Sequence, residues 1–127
     1  MIKERICSYE LSMLLQEKGF DEECDYFYEH STDEPHEMTR DEIVESCNLC
    51  IKAPTHQMAC DWMIEAHHIC ITIYPNKEKG FEAVLYDIES DVEITLQSFG
   101  VFGYHIFESS YGKAVEVALK YILENLI

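Results

Sequence analysis

The chain has 127 residues, 47% of them hydrophobic and 12% aromatic, enough apolar material to bury a core and too much for a disordered chain. Twenty-five Asp and Glu stand against nine Lys and Arg, a formal charge of -16 whose field repels phosphate backbones and excludes direct nucleic-acid binding as an expected function. No apolar run approaches the roughly 18 residues of a membrane helix, and no apolar stretch follows Met1-Ile2-Lys3-Glu4-Arg5 as in an export signal, so a cytoplasmic protein of one domain, with no membrane contact, is expected.

Ser8 suits the N-cap of a first helix in which Leu11, Leu14, Leu15 and Lys18 share a face, with Gly19 at the C′ position and Phe20 closing over the end. An acidic turn, Asp21-Glu22-Glu23, leads to a short strand over Cys24 to Glu29 whose aromatic residues fall on both faces, so that Phe27 predicts partial cover on the second face. Residues 30–46 turn polar and acidic, and Ser31 to Glu37 have no apolar periodicity, the pattern of a flexible insertion. Within it Thr39-Arg40-Asp41-Glu42 has capping-box spacing before Ile43, Val44 and Cys47, which predicts one short helix. Asn48 to Lys52 reads as extended because Ala53 precedes Pro54 and is pushed out of the helical region.

Pro54 and Thr55 then open a central helix with Met58, Ala59, Trp62, Met63 and Ala66 at helical spacing. The period changes to two at Ile69, where isoleucines alternate with Cys70, Thr72 and Tyr74. Pro75 to Gly80 is a loop of turn formers joining Ile69–Tyr74 to Phe81–Ile88 as a hairpin, and Glu89-Ser90-Asp91 is a second turn into a strand with Val92, Ile94 and Leu96 inward. Tyr104 to Phe107 is a further short strand or the tail of that one. Ser109 or Ser110 caps the last helix, whose broad apolar face comprises Ala114, Val117, Ala118, Tyr121 and Ile122 extended by Leu119, Leu123 and Leu126. The order α-β-(α)-β-α-β-β-β-α, with short turns between antiparallel strands, predicts an α+β two-layer sandwich: a meander sheet covered by helices. So wide an apolar face on the final helix implies deep burial or a homodimer interface.

Six cysteines (Cys7, Cys24, Cys47, Cys50, Cys60 and Cys70) are expected as thiols rather than disulfides. Cys47-Asn48-Leu49-Cys50 has the C-x2-C spacing that lets two thiolates reach one zinc ion or form a redox pair. A zinc site needs two more ligands, from His56, Cys60, His67 or His68, and no second pair at standard spacing is present. The metal candidates are therefore Cys47, Cys50, His56 and Cys60, set against the preferred reading of semi-buried thiols with no cofactor. His56 and Cys60, four apart on the central helix, have the spacing of a base and a nucleophile, yet no orienting group or oxyanion donor accompanies them and no catalytic residue is assigned. His67-His68 sits near a helix C-terminus, where protonated histidine is favoured. Glycine-rich phosphate loops and EF-hand spacing are absent.

The central helix, strands and final helix follow the α-β-β-β-α order of a double-stranded-RNA-binding domain, but Ser109-Ser110-Tyr111-Gly112-Lys113 lacks the basic residues such domains carry there. The segments Ser8-Tyr9-Glu10-Leu11, Leu15-Gln16-Glu17-Lys18-Gly19-Phe20 and Ala53-Pro54-Thr55-His56-Gln57-Met58, with Trp62, His67 and the Tyr111 to Ile127 helix, resemble a group of short uncharacterised proteins from gut bacteria and their prophages. That resemblance implies a small accessory protein, of phage origin, and implies no role for any residue. The expected function is non-enzymatic binding of another protein through an acidic, tyrosine-rich surface. The alternatives are a nucleic-acid mimic that engages a DNA-binding protein, and a small Cys/His metal- or ligand-binding domain.

Overall fold

The computed structural model describes residues 5–29, 36–37, 50–94 and 105–127, with backbone alone at 29, 36, 37, 50 and 105. Two compact units are present, residues 1–59 and 60–127, and the boundary between them falls inside the central helix.

In the first unit, helix α1 (Tyr9–Glu17) is set at both ends by its own sequence. Ser8 Oγ accepts from the Leu11 amide at 3.2 Å. At the other end Gly19 takes a φ of +100°, which an L side chain resists, and its N–H reaches Gln16 O while Phe20 N–H reaches Leu15 O. This is a Schellman closure, and the buried Phe20 and Leu15 supply its apolar contact. The inward face is Leu11, Ser12 and Leu15. Lys18, expected on that face, is exposed, and Ser12 takes an inward place because its hydroxyl donates to Cys7 O at 3.5 Å.

Strands β1 (Tyr26–Glu29), β2 (His36–Glu37) and β3 (Cys50–Lys52) form an antiparallel sheet in the order β2-β1-β3. Phe27 lies opposite His36 on one side and Lys52 on the other. The acidic insertion therefore contributes a short strand at His36–Glu37, which polar composition had disguised: β1 offers a free ladder edge there, and backbone pairing needs no apolar side chain. The helix predicted after Thr39 lies outside the described residues. Phe27 and Tyr28 are only 4% and 3% exposed, and successive strand residues point to opposite faces, so β1 is covered on both sides, beyond the partial cover expected. Tyr28, Ile51 and Ala53 form a core to which Ile6, Tyr9 and Tyr26 add, and α1 packs against β3.

Helix α2 (His56–His67) follows, with Thr55 Oγ1 accepting from Met58 N at 3.1 Å as the expected cap. Its buried residues are Ala59 and Met63; Trp62 is half-buried and Ala66 exposed, so the apolar stripe is narrower than the spacing implied. His68 ends the helix at φ +58°, in the left-handed region, and its amide still bonds Ile64 O at 3.0 Å.

In the second unit β4 (Ile69–Asn76) and β5 (Gly80–Asp87) pair along their whole length, from Ile69 opposite Asp87 to Asn76 opposite Gly80. The turn is three residues, shorter than expected, because Asn76 Oδ1 accepts from both Glu78 N and Lys79 N and tightens it. Pro75 sits inside β4, which pairs with β5 alone among the described strands and so tolerates a residue without an amide proton. Asp87 repeats the device at the next turn, accepting from Glu89 N and Ser90 N. Strand β6 (Val92–Glu93) then pairs with Tyr86 and Asp87, while β7 (His105–Glu108) pairs with Phe81 to Val84, so both lie along one edge of β5. His105 to Phe107 thus belong to a separate strand, and Tyr104 lies outside the described residues. Val92, expected inward, is 55% exposed, whereas Ile94 is half-buried with its amide on Leu85 O.

Helix α3 (Tyr111–Asn125) is capped by Ser110, which accepts from Lys113 N at 3.2 Å, and packs on β4, β5 and β7. Ala83, Leu85 and Ile106 share one sheet face by register, and Ala114, Ala118, Leu119, Ile122 and Leu123 are buried on the helix. The architecture is α+β, with helices layered on antiparallel sheets as the element order implied. Burial inside the protein accounts for most of the apolar face of α3.

Candidate functional site

Of the metal and nucleophile candidates, His56 and Cys60 have described side chains. Cys47 lies outside the described residues, and Cys50 is placed only as backbone at the start of β3. Cys60 is half-buried on α2, and its thiol is pushed up to about 11, by burial first, then by Asp61 and Cys70. A thiol held protonated at neutral pH is the reverse of an activated nucleophile, which speaks against the His56–Cys60 base and nucleophile reading. Cys24 is likewise pushed up to about 11, burial outweighing the opposing pull of Lys52, with Asp25 and Glu22 adding to the rise; its thiol donates to Glu22 O at 3.5 Å.

His67 and His68 part company at the helix end. The His67 ring meets the Trp62 indole edge-on, with centroids 4.8 Å apart, and its buried Nε2 finds no hydrogen-bond partner among the described residues. His68 is half-exposed and lies 3.5 Å from Glu89, so these neighbours serve packing and a surface contact with a carboxylate respectively.

A different juxtaposition, absent from the spacing argument, is built in the first unit. Ile6 bridges Thr55 in antiparallel fashion, Cys7 N–H donates to Pro54 O at 2.9 Å, and His56 N–H donates to Arg5 O at 2.9 Å. Around an antiparallel bridge the residues before and after it lie on the same side, so Cys7 and His56 are diagonal neighbours facing the same way. The Cys7 Sγ and a His56 ring nitrogen lie within 4.8 Å of each other. Cys7 is fully buried and its thiol points at Thr55 O, 3.9 Å away, while His56 is half-buried. The Cys7 carbonyl accepts the Tyr28 hydroxyl at 2.7 Å, and Tyr28 is steadied by an edge-on contact with Tyr9. Sequence reasoning picked out His56 and missed Cys7. Forty-nine positions separate them, and no local pattern in the sequence links the two.

Beside β3, a shallow open depression of about 240 Å³ is lined by Met13, Gln16, Glu17 and Ile51. The next residue of β3, Lys52, reaches Asp21 at 3.2 Å, and Asp21, Glu22, Glu23 and Asp25 are all exposed. Acidic excess is not confined to the insertion: fourteen Asp and Glu against five Lys and Arg fall in residues 1–59, and eleven against four in 60–127. Among the described residues no helix is long and apolar enough to cross a membrane.

The fold and these sites define the chain as a small acidic α+β protein. No protein-family model, curated protein or solved structure matches it.

Proposed function

We propose that this protein acts without catalysis, by binding a basic surface of another protein, as an accessory protein of the kind that the resembling prophage sequences represent. The observation that carries this reading is the exposed run Asp21, Glu22, Glu23 and Asp25 in the segment that follows α1, the helix whose Met13, Gln16 and Glu17 line a mostly apolar depression. Exposed carboxylates together with an apolar recess suit a partner that offers lysine or arginine as well as an apolar side chain, with charge steering the encounter and burial holding it. Solvated carboxylates also keep a protein soluble, and the recess lined by the preceding helix is what favours a contact surface over that simpler role.

The test is capture of partners from a bacterial lysate on the immobilised protein at low and high salt, beside a variant with Asp21→Lys, Glu22→Lys and Glu23→Lys. A partner retained by the native protein at low salt, and lost both at high salt and on the variant, supports the reading. Captured proteins indifferent to salt and to the variant refute it. A retained set made up of DNA-binding proteins would assign the protein to nucleic-acid mimicry.

A further inference from the structure

We propose that Cys7 and His56 are protein ligands of a thiophilic d10 cation, Zn²⁺ or Cu⁺. Metal–sulfur and metal–nitrogen bonds of about 2.3 and 2.0 Å place the two donor atoms about 3.5 Å apart at a tetrahedral angle and about 4.3 Å apart in a linear arrangement. Both separations fall inside the 4.8 Å within which the Cys7 Sγ and the His56 nitrogen already lie. The two side chains are held there by main chain: the Ile6–Thr55 bridge and the paired bonds Cys7 N–H to Pro54 O and His56 N–H to Arg5 O fix both Cα positions before any ion arrives. Ligands placed in advance spare a metal site much of its ordering cost. Tyr28 and Ser12 both donate to the Cys7 carbonyl and anchor the sulfur-bearing residue from behind.

The chemistry suits a soft cation. The Cys7 thiol is fully buried, where sulfur alone donates weakly, and its contact to Thr55 O is a long 3.9 Å. Binding replaces the S–H bond by a metal–sulfur bond and releases the thiol proton to solvent; His56 gives the lone pair of a neutral ring nitrogen, and nothing is oxidised or reduced. The half-buried imidazole gives the ion a way in from solvent, and the charge of -16 concentrates cations around the protein. This inference is independent of the protein-binding reading, since it concerns a buried thiol and a half-buried imidazole rather than the acidic surface.

The full chain carrying Cys47→Ser and Cys50→Ser removes the C-x2-C pair as a competitor. Zinc alone, and Cu⁺ alone under anaerobic conditions, are titrated into it against a chromogenic chelator, with cobalt(II) as a spectroscopic substitute for zinc. One equivalent of either ion is expected, with a thiolate-to-cobalt charge-transfer band, and the arm that saturates identifies the ion. Adding Cys7→Ser abolishes the band, and adding His56→Gln weakens binding by about ten-fold or more while the band survives. Circular dichroism checks folding, and if Cys7→Ser fails to fold, the His56→Gln result decides alone. Failure of both ions to bind, or binding unchanged by His56→Gln, overturns the proposal.

Discussion

Replacing Gly80 by alanine tests the packing of the second unit at its tightest backbone contact. Gly80 has a φ of +93°, and a Cβ built on it would lie 2.5 Å from Glu108 O and 3.1 Å from Ser109 Cα, both main-chain atoms that cannot swing aside. Gly19 is its control: at φ +100° it carries the same backbone strain, with nothing within 4 Å of the added carbon. Placing an L side chain in that region costs about 1–2 kcal/mol at either site. The gain from a stiffer unfolded chain is common to both and cancels in the comparison. At Gly80 the carbon also forces the end of β7 away from β5, an overpacking term of about 1–3 kcal/mol. Gly80→Ala should therefore cost about 2–5 kcal/mol and Gly19→Ala about 1–2 kcal/mol. Urea denaturation followed by circular dichroism gives the two differences, and hydrogen exchange at the β5 and β7 amides locates the damage. If Gly80→Ala costs no more than Gly19→Ala, the close approach of β7 to the hairpin is wrong.

Three further expectations rest on single interactions. Tyr28→Phe removes a 2.7 Å hydrogen bond to the Cys7 carbonyl at a site 3% exposed, and should cost about 1–1.5 kcal/mol in the same denaturation assay with the sheet order kept. Ser110→Ala strips the cap from α3 and should cost about 1 kcal/mol, whereas Ser110→Asp should retain most of it; equal losses would remove the capping argument. Cys24 and Cys60, each raised from 9.0 to about 11, should alkylate slowly at pH 8 and fast only in urea. Because their folded values lie above the unfolded ones, the stability they contribute is fully present below pH 9.0 and is lost as pH rises towards about 11. Stability that grows between those values in a Cys24→Ala, Cys60→Ala background comparison would reverse that sign.

Legibility followed the range of the interactions. Both helix caps at Ser8 and Ser110, the Gly19 stop, the Thr55 start and the Ile69 change of period involve partners within five residues, and all five are present. The hairpin was readable in kind but its turn came out shorter, since the Asn76 side chain accepts two amides and draws the strands on to Gly80. Val92 misled because alternation assigns a face only when the strand continues beside its neighbour, and β6 ends after two residues, leaving that side chain in solvent. His36–Glu37 carried no apolar signal because its place in the sheet depends on main-chain pairing with β1.

The candidate sites show the same division more sharply. By itself the sequence determined the charge, the α+β class, the helix ends and the points where the period changes, because each is written in neighbouring residues. Tertiary structure alone decided that β6 and β7 share one edge of β5, that β1 is buried on both faces, and that Cys7 stands beside His56. Those facts depend on which distant backbone segments pair, and pairing is set by the combined packing of many side chains rather than by any local pattern. The reading that placed chemistry in C-x2-C spacing was confined to ligands close in sequence. An antiparallel bridge between Ile6 and Thr55 has no such limit, and it puts a thiol and an imidazole together from opposite ends of the first unit.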